Sequence, residues 1–264
     1  MESYLTNQQF MNFIKKTIYA IVAIAATLTS CSQDDTLMYN NITMGNMTNG
    51  TFVSDQGNIF NVVEKNCYGN LEEMNRAIVL CDVLNKVEGT ENQYDIRLND
   101  VASVLTKAPI NRKDADSNDE TLVQDPISIE NMWISGGYIN MYLVFEVKSL
   151  ANTKKHLVNL VLDEKESSEG KYVFVLRHNS YGESLKYDAT NLRLGDSYVS
   201  FPITDIIKED SADITIKWEW YKIAGDGLSS EVQDNCFNLS YTKGGFEHVP
   251  HALTVQNRRQ TQLN

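Results

Sequence analysis

The chain has 264 residues, 42% of them hydrophobic and 22% charged, with a formal net charge of −12 at pH 7. This length leaves room for one large or two small domains, each able to bury a core. From Cys31 to Glu130 there are 17 acidic and 7 basic residues. Because nucleic-acid binding depends on clustered Lys and Arg, this acidic balance argues against a nucleic-acid partner.

The N-terminal residues are arranged as in a signal peptide. Lys15 and Lys16 precede an uncharged apolar run, Ile18 to Leu28. That run is too short to cross a bilayer, which takes about 20 apolar residues, but it suits the apolar region of a signal. We therefore expect residues 1–30 to be a signal peptide, and the compact start of this signal makes Met11 a candidate translation start.

The residues before Cys31, Leu28-Thr29-Ser30, resemble a lipobox. We expect Cys31 to be the first mature residue and to carry a lipid that anchors the chain to a membrane. The alternative is a secreted protein with Cys31 free. Asp34 and Asp35 resemble a signal that sends lipoproteins to the outer face of the outer membrane in some Gram-negative anaerobes. A solvated tether and the periplasmic face of the membrane are the alternatives.

The mature chain begins with a segment rich in Asn, Thr, Met and Gly, and we expect residues 31–50 to be a flexible tether. Residues 51–122 then carry short strand signals with a turn at Gly57. The expected strands are Thr51–Val53, Ile59–Val63, Arg76–Leu84, Tyr94–Leu98 and, as a strand or short helix, Val101–Leu105. These proportions predict a small OB-fold-like barrel.

Polar residues Asn111 to Asp125 are interpreted as the boundary to a second domain, residues 123–235. Its longer strands predict an antiparallel β-sandwich, so the fold class is all-β. The clearest strand is Ala212–Lys222, in which apolar and polar residues alternate. The other expected strands are Tyr138–Val147, His156–Leu162, Tyr172–Arg177 and Tyr198–Ile203. Residues 236–264 are expected to be a polar, partly ordered tail.

Three stretches carry a resemblance to a known family. They are IRLNDVASVLTK (Ile96 to Lys107), DPISIENMWISGGYINMYLVF (Asp125 to Phe145) and LRHNSYGES (Leu176 to Ser184). Together they resemble the NigD-like lipoprotein family, from about Thr51 to Tyr221. The resemblance implies an N-terminal OB-type domain, a C-terminal β-sandwich and a lipoprotein signal, and it supplies no catalytic residues.

An acidic stretch has the spacing of a calcium-binding loop, with ligand candidates at Asp114, Asp116, Asn118, Glu120 and Asp125. Alternate oxygen-bearing residues in a tight loop can surround a calcium ion. Asp119 stands where the sharp turn requires glycine, so a solvated acidic linker is the alternative. We expect no metal and no cofactor.

The histidines do not form a catalytic set. His248 and His251 have a pair spacing suited to a metal, but they lack a third ligand nearby. His178 lies two residues before Ser180, without the strand–turn–helix elbow of a serine nucleophile. We interpret His178 as structural and expect no enzymatic activity.

Paired glycines and tryptophans have structural and functional interpretations. Gly136 and Gly137 lie between strand signals, and they predict a bulge or sharp bend where another backbone comes close. Trp133, Trp218 and Trp220 could form a sugar-stacking platform, or they could pack in the core as the alternation predicts.

The remaining cysteines and the function leave alternatives open. Cys67 and Cys81 could form a disulfide, or these two and Cys236 could be buried thiols. Our functional hypothesis is a non-enzymatic envelope lipoprotein that binds a protein or a glycan and is anchored through Cys31. The family resemblance suggests a bacteriocin-immunity role as the alternative.

Overall fold

The structure, a computed structural model, describes residues 41–112, 120–148, 155–187, 189–224 and 227–245, without the side chains of residues 223–230. These residues all belong to a single compact unit. They form fourteen strands and three one-turn 3-10 helices. No helix in these ranges is long and apolar enough to cross a membrane.

The first five strands form a closed barrel in the order β1-β2-β3-β5-β4. They are β1 (Asn41–Thr48), β2 (Thr51–Ser54), β3 (Ile59–Lys65), β4 (Arg76–Lys86) and β5 (Gln93–Ser103). All neighbours are antiparallel except β3 and β5, whose parallel pairing closes the barrel. The predicted OB-fold-like barrel is confirmed in this order of five strands.

The tether prediction is wrong for residues 41–48, which form β1. This strand pairs with β4 over six residues and with β2 over four. Met44 is 1% exposed and packs in the barrel wall. The sequence did not indicate β1 because its residues are mostly polar, and the strand is formed by backbone pairing with β2 and with the more distant β4. The turn between β2 and β3 is as predicted, with Gly57 at a φ of +82°.

The barrel interior is apolar and continuous. Phe52 and Phe60 stack with ring centroids 6.2 Å apart. A one-turn helix at Leu71–Glu73 inserts the buried Leu71 into the same cluster. The other fully or nearly buried members are Ala77, Val79, Cys81, Val83, Ile96 and Leu98.

The remaining strands form two sheets packed face to face. One has the order β14-β13-β11-β10-β7 and the other β6-β12-β9-β8. The strands are β6 (Leu105–Thr106), β7 (Ile110–Asn111), β8 (Ser128–Ser135), β9 (Tyr138–Val147), β10 (Leu157–Leu162), β11 (Lys171–Asn179), β12 (Arg193–Pro202), β13 (Ser211–Ala224) and β14 (Gly227–Thr242). The predicted sandwich is confirmed, with parallel pairs β7–β10, β6–β12 and β11–β13 among antiparallel ones.

Two boundaries of the sandwich differ from the sequence prediction. β6 and β7 already belong to its sheets, so residues 105–111 lie with the second domain. Residues 120–125 pack on the sandwich, where the Thr121 and Glu120 carbonyls accept hydrogen bonds from Asn159 and Asn179. The polar-tail prediction is wrong from Cys236 to Thr242, because these residues complete β14. Leu239 and Tyr241, 7% and 4% exposed, join the core.

Gly136 and Gly137 form the tight turn between β8 and β9, at φ values of +58° and +80°. Positive φ at both central residues is the hairpin geometry that glycine permits. A Cβ at Gly136 would lie 2.5 Å from Asp55 Oδ1. The close neighbour is therefore a side chain of the barrel, and the prediction of a nearby backbone is corrected.

Candidate functional site

Several predicted site residues lie outside the described part of the chain. They are Cys31, the signal peptide, the first part of the tether, Asp34 and Asp35, the ligand candidates Asp114, Asp116 and Asn118, and the histidines His248 and His251. Within the described ranges, no group of three or more His, Cys, Asp or Glu side chains is placed to hold a metal.

The carboxylate of Asp125 is buried and hydrogen-bonded within the protein, so it is not available as a calcium ligand. It is 2% exposed. Its Oδ2 accepts hydrogen bonds from the backbone N–H and the hydroxyl of Ser180, at 2.8 and 2.6 Å. Its Oδ1 accepts one from the Tyr187 hydroxyl at 2.6 Å. Burial acts to raise the pKa of Asp125, but these hydrogen bonds outweigh it and hold the pKa below its ordinary value.

His178 is buried in a chain of hydrogen bonds and does not face Ser180. Its Nδ1 lies 3.1 Å from the Pro126 carbonyl oxygen, which can only accept. Its Nε2 must then accept from His156 Nδ1, 3.0 Å away. Burial lowers the pKa of His178 to about 3, and the neighbouring His156 adds to this effect. The His178 imidazole is therefore neutral at pH 7, and Ser180 is bound to a carboxylate without a histidine base.

Glu146, on the opposite sheet, binds the loop of residues 180–187 that contains Ser180 and Tyr187. Its Oε2 accepts hydrogen bonds from the Leu185 N–H at 2.9 Å and from the Tyr221 hydroxyl at 2.6 Å. Burial raises the pKa of Tyr221, and the Glu146 carboxylate adds to the shift. The Ser184 and Tyr221 hydroxyls are 2.6 Å apart. These polar side chains satisfy one another and rigidify the loop, which is a structural task.

The tryptophans do not form one platform. Trp133 is 2% exposed and packs with Met44, Ile78 and Tyr198 between barrel and sandwich. Trp218 is half-buried against the sandwich core, and Trp220 is half-buried beside Tyr221 with ring centroids 5.0 Å apart. Trp133 is thus a core residue and Trp218 packs partly against the core. These three tryptophans therefore do not form a shared sugar-stacking face.

The three described cysteines are free thiols. Burial raises the pKa of Cys81 to about 12, and burial also raises the pKa of Cys67. Cys236 is exposed on β14, so the prediction of three buried thiols is wrong for this residue.

A groove of about 160 Å³ opens in the barrel wall and is the strongest candidate for a binding site. It lies between the β1–β2 turn, the second half of β3 and the one-turn helix at Leu71–Glu73. Its lining residues are Met47, Gly50, Thr51, Phe52, Phe60, Asn61, Val62, Lys65, Asn70, Leu71, Glu72 and Leu98. An apolar cavity of similar size, ~150 Å³, accommodates a benzene ring, so this groove has room for one large apolar side chain.

The groove exists because β3 continues past the end of β2. β2 pairs with β3 only at Phe52–Phe60 and Val53–Ile59. Beyond Phe60, β3 pairs only with β5 among the described strands, with a register shift at Val63. The outer edge of residues 61–65 therefore faces the groove without a neighbouring strand. Such an edge is a template for pairing with another chain.

Apolar side chains around this edge are open to solvent. Val62 is 41% exposed, Val63 is 56% exposed, and Tyr68 just beyond β3 is fully exposed. Lys65 and Glu72 flank the groove, and the described residues provide neither with an ion-pair partner. The adjacent valines were a sequence signal for this surface, because successive strand residues face opposite sides and both cannot enter one core.

A second cavity, about 440 Å³, lies where the β2–β3 turn meets the end of β14. Its charged groups are already engaged. Asp55 is bound to Arg76, Lys208 lies 3.7 Å from Asp205, and Lys243 lies 3.6 Å from Asp210. The barrel groove is therefore the better candidate.

Residues 109–233 match the family model described as the NigD-like C-terminal beta sandwich domain. No curated protein matches the chain. A proposed toxin-related protein from Parabacteroides distasonis has a similar structure, with a TM-score of 0.51 and 22% identity, covering 76% of this chain and 93% of its own. A proposed lipoprotein from Bacteroides fragilis reaches a TM-score of 0.55 at 16% identity, covering 77% and 98%.

A NigD-like immunity protein from Bacteroides caccae covers 83% of this chain and 100% of its own, with a TM-score of 0.48 and 20% identity. The structures from Parabacteroides distasonis and Bacteroides fragilis, whose TM-scores exceed 0.5, share the fold with this chain. At such identities, fold similarity carries no functional assignment.

Proposed function

We propose that this chain, whose residues 109–233 match the NigD-like C-terminal beta sandwich domain, is a lipid-anchored, non-enzymatic binding protein. Its barrel groove would receive an extended segment of a partner protein. The observation that carries the proposal is the outer edge of β3 at residues 61–65, which borders the groove. Backbone groups on such an edge bind a peptide as an added strand.

The exposed side chains favour a peptide whose apolar residue enters the groove. Val62 lines it and Val63 stands beside it, so an added strand would meet apolar surface on both faces. The barrel segment 41–103 contains 9 acidic and 4 basic residues. Charge complementarity therefore favours a neutral or basic segment around the inserted side chain. A glycan ligand would instead depend on the exposed Tyr68 ring.

The absence of catalysis is supported by the described polar residues. Ser180 donates to Asp125, and His178 is held between Pro126 and His156. Neither arrangement supplies a nucleophile with a base. We expect no turnover of peptide, ester or glycoside substrates.

Anchoring through Cys31 rests on the order of charged, apolar and small residues before it. We expect the wild-type protein to incorporate a fatty-acid label and to sediment with membranes. Cys31→Ser should abolish both, whereas Cys236→Ser, which also removes a thiol, should leave both unchanged. Labelling of the Cys31→Ser variant would contradict the anchor.

Surface display can be tested with protease added to intact cells. The wild-type protein should be degraded, and replacing Asp34 and Asp35 with Asn should protect it by retaining it on the periplasmic face. Full protection of the wild type would place it on that face instead.

Photo-crosslinking tests the groove. A benzophenone amino acid at Val63, next to the groove, should capture a partner on illumination of intact cells. The same residue at Leu194, 62% exposed on β12, is the matched control and should not capture it. Val62→Asp should abolish capture, because it places a charge in the groove. Equal capture at Val63 and Leu194, or none, would overturn the proposal, and a captured toxin would identify an immunity factor.

A further inference from the structure

β14 is an edge strand. It is the last strand of its sheet, and β13 is the only strand that pairs with it in the described part of the chain. The pairing with β13 is regular from Val232 to Thr242. Residues 231–242 therefore offer an edge of roughly 40 Å at about 3.4 Å per residue.

The sequence of this edge lacks the devices that usually prevent pairing. Residues 231–242 contain no Pro, Lys or Arg, and their only charges are Glu231 and Asp234. From Asn235 to Thr242 the strand is uncharged and has no register shift. Soluble proteins commonly block edges with lysine, proline, bulges or a covering loop. A long regular edge without them indicates an interaction surface.

The two faces of β14 are unequal near its centre. Leu239 and Tyr241 point into the core, and Phe237 lies on the same face because it pairs with the buried Ile216. Phe237 nevertheless remains 50% exposed. Cys236 points to the opposite face and is also exposed. An exposed apolar ring and an exposed thiol thus lie at adjacent positions of the strand, on opposite faces, in the middle of the edge.

We propose that β14 pairs antiparallel with β14 of a second copy, around a two-fold axis at Cys236. A two-fold contact needs a single surface that complements itself. In this register Asp234 lies opposite Asn238 of the second copy, and Glu231 lies opposite Tyr241. No like charges meet, whereas a two-fold axis at Glu231 or at Asp234 would place that residue against itself.

The same register covers the exposed residues. Each Phe237 lies opposite Asn235, and the two Phe237 rings become diagonal neighbours, within reach of aromatic side chains. The Cys236 residues lie directly opposite each other, with Cβ atoms about 5 Å apart as in any antiparallel pair. That separation is close to disulfide geometry, so an added oxidant can report the pairing. The contact itself requires no disulfide and does not involve the barrel groove.

Cysteine crosslinking on intact cells tests the register. An added mild oxidant should convert the wild-type chain into a species of twice the monomer mass on non-reducing gels, and Cys236→Ser should remove it. In the Cys236→Ser background, single cysteines at Asp234 or Asn238 should crosslink less than Cys236 itself. Equal crosslinking at all positions, or a mixed disulfide with another protein, would overturn the proposal.

A charge exchange gives a second, independent readout on the full chain purified in detergent. Asn238→Lys places a positive charge opposite Asp234 twice per dimer, and Asn238→Asp places a negative one there. With two such pairs, we expect the association constant to rise and to fall, respectively, by roughly 2- to 30-fold. Circular dichroism would confirm that both variants fold. A monomer at all concentrations in sedimentation, or the same constant for both variants, would overturn the dimer.

Discussion

Arg76 and Asp55 form a bidentate ion pair, at 2.8 and 2.7 Å, in which the side chains are 1% and 2% exposed. All five guanidinium donors are used, because Nε binds Ser200, Nη1 also binds Asn46, and Nη2 also binds Asn140. Ser200 and Asn140 belong to the sandwich, whereas Arg76 and Asp55 belong to the barrel. The ion pair therefore joins the two halves of the fold.

Removing Asp55 should destabilise the whole protein. Asp55→Ala leaves the Arg76 charge buried without its partner, for which we expect a loss of about 3–5 kcal/mol in the free energy of unfolding. Urea denaturation followed by circular dichroism measures it. Asp205→Ala removes a carboxylate from a fully exposed pair with Lys208, and should change stability little. Similar losses in both variants would contradict the role of burial.

Gly136→Ala should be more harmful than an alanine at another glycine of positive φ. Gly136 has a φ of +58°, and an added Cβ would lie 2.5 Å from Asp55 Oδ1. Gly89 has a φ of +78° with open space around the Cβ position, so Gly89→Ala isolates the backbone strain of about 1–2 kcal/mol. The two melting temperatures provide the comparison. A Gly136→Ala variant as stable as Gly89→Ala would show that the Asp55 side chain can move aside without a loss of stability.

Stability should fall as the pH decreases below about 6.5. Burial depresses the folded-state pKa of His178 to about 3, whereas the unfolded chain protonates near its ordinary value of 6.5. Between these pH values the unfolded state binds a proton at His178 and the folded state does not. The free energy of unfolding therefore decreases by up to about 1.4 kcal/mol for each pH unit by which the pH falls. The pKa of His156 is also lowered by burial and acts in the same direction.

Urea midpoints between pH 7.5 and pH 4 would measure this dependence. His178→Gln can still donate to Pro126 and accept from His156, but it does not titrate. Its pH dependence should therefore be shallower than that of the wild type, with the remainder due to His156 and acidic groups. Parallel profiles for the two proteins would contradict the assignment to His178.

Tyr187→Phe should loosen the loop at residues 180–187. The Tyr187 hydroxyl donates to Asp125 Oδ1 at 2.6 Å, and burial together with that carboxylate raises the pKa of Tyr187 to about 12. Since the ring is half-exposed, we expect a loss of about 1 kcal/mol and faster amide exchange at Ser180. Tyr68→Phe removes an exposed hydroxyl and serves as the control. Unchanged exchange at Ser180 would show that the Tyr187 hydroxyl is not needed to hold Asp125.

The sequence alone determined the elements whose signals are local. Ile214 and Ile216 alternate with polar residues, which defined both the strand and its buried face. Gly57 marked the β2–β3 turn, since a positive φ favours glycine whatever surrounds it. The strand spacing was sufficient to predict a small barrel followed by a sandwich. Polar β1 and the end of β14 were missed, because their strands depend on partners rather than on their own composition.

Only the tertiary structure decided which distant residues meet. Nothing near Arg76 in sequence indicates that it is buried, and it is tolerated there because Asp55, Asn140 and Ser200 converge from other strands. His178 was correctly interpreted as structural, but its partners, His156 and Pro126, lie 22 and 52 residues away. The barrel groove likewise arises because β3 extends past the end of β2. Periodicity in the sequence indicates which side of a strand is buried. Which strands pair, and how far one strand extends past its neighbour, depends on the whole chain. The candidate binding surfaces arise from this pairing of strands.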